Sequence, residues 1–309
     1  MRILLLNPNY ISKRNWGHQL FKNEIGRQHD VTYYGSGYKG FKNNLTVPQI
    51  LKRLNKPFDI ILAYESKYSR NFKGLDKVKN IPKVLIQIDY ALGVSNYKGF
   101  AKTETINKLI RENKYDLIFA TSMSNVNAMK KNFGMDKVFL LPFSVDLNTY
   151  KNMKLKRIID AMAVYSTRSY IYPSRTKVQK LIKKMGIKCF TRGVIHNQYV
   201  KKLNESKMFI ISNNINKRLS MKYTEAMACG AFVLADEPED LDIQGFKRDK
   251  HLVLYKGMDD LKDKIRYYLK NNQERNEIAK SGMEFVRKNH SCSTRVKQFT
   301  KIIKREFGI

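Results

Sequence analysis

The stretch that most constrains the fold is Arg218–Leu241, RLSMKYTEAMACGAFVLADEPEDL. Ala231–Ala235 (AFVLA) is apolar at every position. A strand with one solvated face would alternate, so this run requires a parallel strand covered on both faces. Gly230 can take the left-handed conformation that ends a helix, and Ser220 is a good N-cap. The stretch therefore predicts a short helix, a glycine stop and a buried strand. A helix begun at Ser220 directs unpaired N–H groups at an incoming anion such as a diphosphate. Glu225, about one turn further along, can accept hydrogen bonds from ribose hydroxyls. Taken alone, the segment is equally compatible with a plain αβ unit in which Glu225 is a solvated helix residue.

The rest of the chain repeats the alternation. Arg2–Leu6, Asp30–Tyr34, Phe58–Ala63, Lys83–Ile88, Tyr115–Ala120 and Lys137–Leu141 read as strands. Helices are predicted at about Gln19–Arg27, Val47–Leu54 and Asn125–Phe133. Leu141–Lys156 reads as a linker. Beyond it come a strand in Ile158–Tyr165, a helix at Ser174–Met185, a strand at Lys188–Thr191, a helix at Asn197–Glu205 and a strand at Lys207–Ser212. Strands alternating with helices imply parallel, doubly wound sheets. Two α/β domains are expected, 1–150 and 151–309, which suits a chain of 309 residues.

Composition narrows the class. Three cysteines, Cys189, Cys229 and Cys292, have no metal or redox spacing, so a reducing compartment, the cytoplasm, is expected. The longest apolar runs are too short to span a bilayer, and Met1-Arg2 leads directly into a strand, so no signal peptide is expected. The charge stands out: Lys+Arg 59 against Asp+Glu 27, a net +32. That excess suits an anionic acceptor or surface, although the lysines are scattered and no nucleic-acid-binding motif accompanies them.

The segment Arg218–Leu241 resembles the nucleotide-sugar site of glycosyltransferases built from two Rossmann-like domains, the GT-B fold. Downstream, Gly245, His251–Tyr255, Asp259–Leu269, Gln273–Lys288, His290–Ser291 and Thr294–Phe307 match the layout of the CgeB-like, spore-maturation-type branch. The resemblance implies two α/β domains facing across a cleft, with the last helix crossing back to the first. Pro142, Asp146 and Tyr150 match the Pro, Asp and aromatic of the interdomain segment. It also implies a sugar donor on the second domain, a UDP-sugar above others, an acceptor on the first, and no required cofactor or metal.

Site residues follow from the same resemblance. Gly17 stands where a glycine loop approaches the donor, with a single glycine instead of the usual pair. His18 and Asp89 are the candidate bases, because a basic group at the end of a strand can take a proton from an acceptor hydroxyl. Arg168 follows the first strand of the second domain, where a guanidinium can stabilise charge on a departing diphosphate. Ser220, Met221, Lys222 and Tyr223 form the first turn of the Glu225 helix, and Lys222 can reach the same phosphates. Arg175 and Lys177 are weaker candidates for that role. Backbone groups of Val194 and Ile195 would hold the nucleotide base. Lys217 stands where many retaining members carry the first of two glutamates, which points away from that branch.

Two motif matches are expected to be structural. Gly35–Gly40 fits G-x-G-x-x-G, but it follows the second strand and no helix begins at once. Asp240-Leu241-Asp242 lies in a loop after AFVLA. The acceptor can be a glycan, a lipid, a protein or modified DNA. An acceptor on hydroxymethylated DNA, as in phage DNA glycosyltransferases, would use the charge and require base flipping. A non-catalytic nucleic-acid-binding protein on the same fold is the rival reading.

Overall fold

The computed structural model describes residues 1–9, 16–64, 72–88, 90, 103–167, 172–213 and 217–309. Its contacts divide the chain into two units. The first comprises 1–15, 22–142 and 296–309, and the second 16–21 and 143–295. The division falls inside two helices, α1 (Trp16–Gln28) and α10 (Cys292–Phe307).

The first unit is one parallel sheet of β1 (Arg2–Leu6), β2 (Asp30–Tyr34), β3 (Ile60–Tyr64), β4 (Lys83–Gln87), β5 (Leu117–Ala120) and β6 (Val138–Leu140). Its order is β2-β1-β3-β4-β5-β6. β3 and β4 are buried at every position, as a sheet clothed on both faces requires. Its helices include α2 (Val47–Leu54), α3 (Thr103–Asn113) and α4 (Met123–Phe133). Thr46 and Gln49 form a capping box at the start of α2. Ser122 accepts from Asn125 N–H at the start of α4, and Gly134 ends it at φ 60°. The sequence reading missed α3. The later part of α10 belongs to this unit, with Phe299 buried 5.2 Å from the ring of Phe119.

The second unit is a parallel sheet of β7 (Ile159–Met162), β8 (Cys189–Phe190), β9 (Ser206–Ile211), β10 (Phe232–Ala235) and β11 (Val253–Leu254), in the order β11-β10-β9-β7-β8. Successive residues of β9 and β10 enter opposite cores. Phe209, Ile211, Val233 and Ala235 join one cluster, with α6 (His196–Glu205) and α7 (Met221–Ala228). Met208, Ile210, Phe232 and Leu234 join the other, with α5 (Arg175–Lys184), α8 (Gly257–Lys270) and α9 (Asn272–Asn289). This double cover explains the unbroken apolar run AFVLA. Both sheets are therefore the parallel, Rossmann-like kind that the sequence implied.

In each sheet the strand order reverses once, between β1 and β3 and between β7 and β9. Crevices beyond the carboxyl ends of strands at such points are where open α/β sheets bind ligands. Each reversal here carries a buried cation. Lys22 Nζ donates to Asn7 Oδ1 at 2.6 Å, and Asn7 Nδ2 donates to the Tyr64 carbonyl at 2.8 Å. Arg175 Nε donates to the Ser212 carbonyl after β9 at 2.8 Å, and its Nη1 to the Ser166 carbonyl after β7 at 3.2 Å.

Candidate functional site

The site in the second unit is assembled at the carboxyl ends of β7, β9 and β10, around the start of α7. Ser220 is the N-cap, with extended backbone (φ −94°, ψ 166°). Its side chain makes no capping bond, so the first-turn N–H groups are not covered by that hydroxyl. The far end of α7 is closed by Gly230 at φ 72°, with Gly230 N–H donating to the Met227 carbonyl and Ala231 N–H to the Ala226 carbonyl. A side chain at Gly230 would meet Asn152 Nδ2 at 2.9 Å and Arg157 Nη2 at 3.0 Å.

Glu225 is 7% exposed. Tyr150 donates a hydrogen bond to its carboxylate. Lys222 opposes it electrostatically, with Nζ 4.9 Å above the ring of Tyr199. Tyr199 lies beside the same carboxylate, but its hydroxyl, though buried, makes no hydrogen bond of good geometry. Burial raises the pKa of Glu225, while Lys222 and Tyr150 pull it down. Burial lowers that of Lys222, against the pull of Glu225. A carboxylate has about four acceptor sites, so one donated bond from Tyr150 leaves room for a pair of ligand hydroxyls.

Tyr150 is delivered by a turn built on Asp146, which accepts from Thr149 Oγ1 at 2.6 Å and from Thr149 N–H at 3.2 Å. Gly17 lies on the other side. A Cβ there would fall 1.9 Å from Met221 Cε and 3.8 Å from Glu225 Oε1. The tip of the Met221 side chain thus occupies the space that a side chain at position 17 would take.

Beside the start of α7 sits a second buried cluster. The Arg175 guanidinium is 3.5 Å from the ring centroid of Tyr172 and 4.8 Å from that of Tyr165. Asp236, after β10, accepts from the Asn213 N–H at 2.8 Å. Burial raises the pKa of Asp236, and Arg175 and its hydrogen bonds lower it. Tyr223 Oη donates to Asn213 Oδ1 at 2.9 Å and is 3.2 Å from the Asp236 carbonyl. Tyr223 is wholly buried, so its side chain fastens α7 to the strand ends and does not face a ligand.

The sequence candidates therefore separate. Gly17, Met221, Lys222 and Glu225 converge, with Ser220 at the head of the same helix. Val194 packs on the core beside β9, and Ile195 is the exposed N-cap of α6. His18 is in α1, its ring 6.1 Å from that of Phe143. Asp89 and Arg168 lie outside the residues the structure describes. Tyr199 was not singled out in the sequence, and Tyr150 was noted only as a linker aromatic. Arg175, ranked low in the sequence as a basic helix start, is in fact buried (6% exposed).

The two discounted motifs are engaged structurally. Gly35 sits so close to Asn7 that a Cβ would lie 2.3 Å from its carbonyl oxygen, and Asn9 N–H donates to the Ser36 carbonyl. Asp242 pairs with Arg248 at 2.7 Å. Among the described residues, no cluster of His, Cys, Asp and Glu is arranged to hold a metal ion. In the first unit, a cavity of about 490 Å³ opens at the ends of β1 and β2, lined by Pro8, Ser36, Phe41, Asn43, Asn44 and Thr46 among others.

Comparison with known proteins bears on the fold. No curated protein sequence is similar enough to match the chain. Solved structures do match over almost their whole length. HepE (Alr3699) of Anabaena in complex with UDP superposes with a TM-score of 0.73 at 14% identity, covering 99% of this chain and 100% of that one. The same protein with UDP-glucose gives 0.70 at 13% identity, with 99% and 100% covered. Sucrose-phosphate synthase (tll1590) from Thermosynechococcus elongatus gives 0.67 at 12% identity, with 100% and 99% covered. The fold is that of the GT-B glycosyltransferases. Residues 174–301, which include α5, α6, α7 and, of the site residues, Tyr199, Lys222 and Glu225 but not Gly17 or Tyr150, match a family described as glycosyl transferase-like. The matched residues fall mostly in the second unit, which ends at Arg295.

Proposed function

We propose that the chain transfers a sugar from a UDP-sugar to an acceptor hydroxyl. The observation that carries this reading is the Glu225 cluster: a buried carboxylate one turn into a helix whose first turn carries Lys222 and is not capped by the Ser220 side chain, with Gly17 packed alongside. Glu225 accepts the ribose hydroxyls. The first turn of α7, Lys222 and Arg168 neutralise the diphosphate as the glycosidic bond breaks, with no metal. Val194 and Ile195 present backbone groups to the base. Asp89 or His18 takes the proton of the attacking hydroxyl. UDP as the carrier is supported by the HepE complexes with UDP and UDP-glucose. The match of layout in the last third of the chain favours the CgeB-like branch, acting in the cytoplasm on a glycan, lipid or protein. The net charge of +32 favours an anionic acceptor, and hydroxymethylated DNA is the second reading.

The test is a hydrolysis panel with UDP-, GDP-, ADP- and TDP-sugars, with and without hydroxymethylated DNA. Release of UDP is expected, from one UDP-sugar above the others. Stimulation by DNA would select the second reading. Silence with every donor, together with no nucleotide-induced rise in melting temperature, would overturn the donor site.

A further inference from the structure

Residues 151–158 (KNMKLKRI) form a strap on the second unit that is neither helix nor strand. Among the described residues, seven large hydrophobic side chains are exposed, and three of them lie here: Met153 (46%), Leu155 (36%) and Ile158 (50%). Lys151, Lys154 and Lys156 alternate with them, also exposed, and none of the three forms an ion pair among the described residues. Asp146 and Asp160 are the nearest acidic residues in sequence, and Asp160 is paired with Lys207.

The strap is rigidly held. Buried Asn204 accepts from Met153 N–H at 2.6 Å and donates to the Lys151 carbonyl at 3.1 Å. Lys154 takes the left-handed conformation at φ 54°, its N–H bonded to Asn152 Oδ1. Arg157 donates to the carbonyls of Leu203, Ser206 and Cys229. Burial lowers the pKa of this guanidinium, so the anchor itself carries a desolvation penalty. Pinned in this way, the strap leaves about a third to a half of its Met, Leu and Ile surface exposed.

We propose that the strap docks on an anionic bilayer surface. The chemistry selects that occupant: apolar side chains enter the headgroup–acyl boundary while lysine stems lie along it, their ammonium groups among anionic headgroups. Each lysine near such a surface is worth roughly fivefold in affinity. The inference goes beyond sugar transfer and does not depend on it.

The test is co-sedimentation of the full chain with vesicles of phosphatidylglycerol and phosphatidylcholine, against phosphatidylcholine alone. Net charge by itself would attract the protein to the first, so the variants decide. Wild type should bind the anionic vesicles and keep part of that binding at about 0.5 M salt, where the Debye length is only a few ångströms. M153S/L155S/I158S should lose the salt-resistant part and bind at least tenfold more weakly. K151Q/K154Q/K156Q should weaken binding at low salt by a similar factor or more. The melting temperature of each variant shows that it is folded. Wild type that ignores anionic vesicles overturns the proposal, as does M153S/L155S/I158S binding like wild type. A wild-type dimer that this triple variant dissolves, with no vesicle binding, would assign the strap to a second copy instead.

Discussion

Substituting Glu225→Gln separates a ribose ligand from a structural carboxylate. The glutamine side chain has the same shape but one acceptor oxygen and no charge. If the ionised carboxylate receives both ribose hydroxyls, the variant loses one charge-assisted hydrogen bond of about 1.5–3 kcal/mol. UDP should then bind roughly ten- to a hundredfold more weakly. Stability should respond differently. Burial raises the pKa of Glu225 in the fold, so the stability tied to this group is full at low pH and is lost as pH climbs through the folded value. Glutamine never ionises and escapes that loss, whereas Lys222 forfeits its counter-charge, and the two effects oppose. The ligand-free variant should melt within about 3 °C of wild type at pH 8. Calorimetry with UDP and 2′-deoxy-UDP checks the first part: wild type should discriminate between them and the variant should not. A UDP affinity within threefold of wild type would refute the ribose contact. A melting temperature many degrees lower would make Glu225 a structural residue.

Gly17→Ala places a methyl 1.9 Å from Met221 Cε. The flexible methionine must vacate, at about 1 kcal/mol of stability, and the donor KM should rise several-fold. Met221→Ala in the same chain should restore it, and an unchanged KM for Gly17→Ala would place the donor elsewhere. Arg175→Ala strips the Ser166 and Ser212 carbonyls of their donor and should lower unfolding free energy in urea by about 2–4 kcal/mol. His290 is held at about 4 by burial and Arg295, from 6.5 when unfolded. Its contribution is therefore complete above about pH 6.5 and lost as pH falls toward 4, about 3 kcal/mol in all. Urea melts at pH 7 and pH 5 should show a smaller acid loss for His290→Asn than for wild type.

Much of the fold was legible because its signals are local. AFVLA reads as a doubly covered strand, and Gly230 marked where the helix before it stops. The helix Thr103–Asn113 escaped because it offers only Ile106 and Ile110 as fully buried apolar positions among polar neighbours. The site was legible only where it is contiguous. Met221, Lys222 and Glu225 share one helix, and the spacing along that helix places them. Tyr150, Tyr199 and Arg175 reach the same region from three other segments, and no local pattern records that convergence. Tyr223 shows the complementary limit. Its position in the first turn pointed toward a ligand, while its hydroxyl turns to Asn213 and Asp236.

The turn on Asp146 ends at Tyr150, and the strap begins at the next residue. Tyr150, whose hydroxyl donates to Glu225, is therefore the direct chain neighbour of Lys151, whose carbonyl Asn204 clamps. Nucleotide hydroxyls on Glu225 would share that carboxylate with Tyr150, and a bilayer holding Met153 would act on the same short stretch of backbone. The two ligands would then act on a shared equilibrium. Reciprocity requires that whatever factor lipid applies to nucleotide affinity, nucleotide applies to lipid affinity.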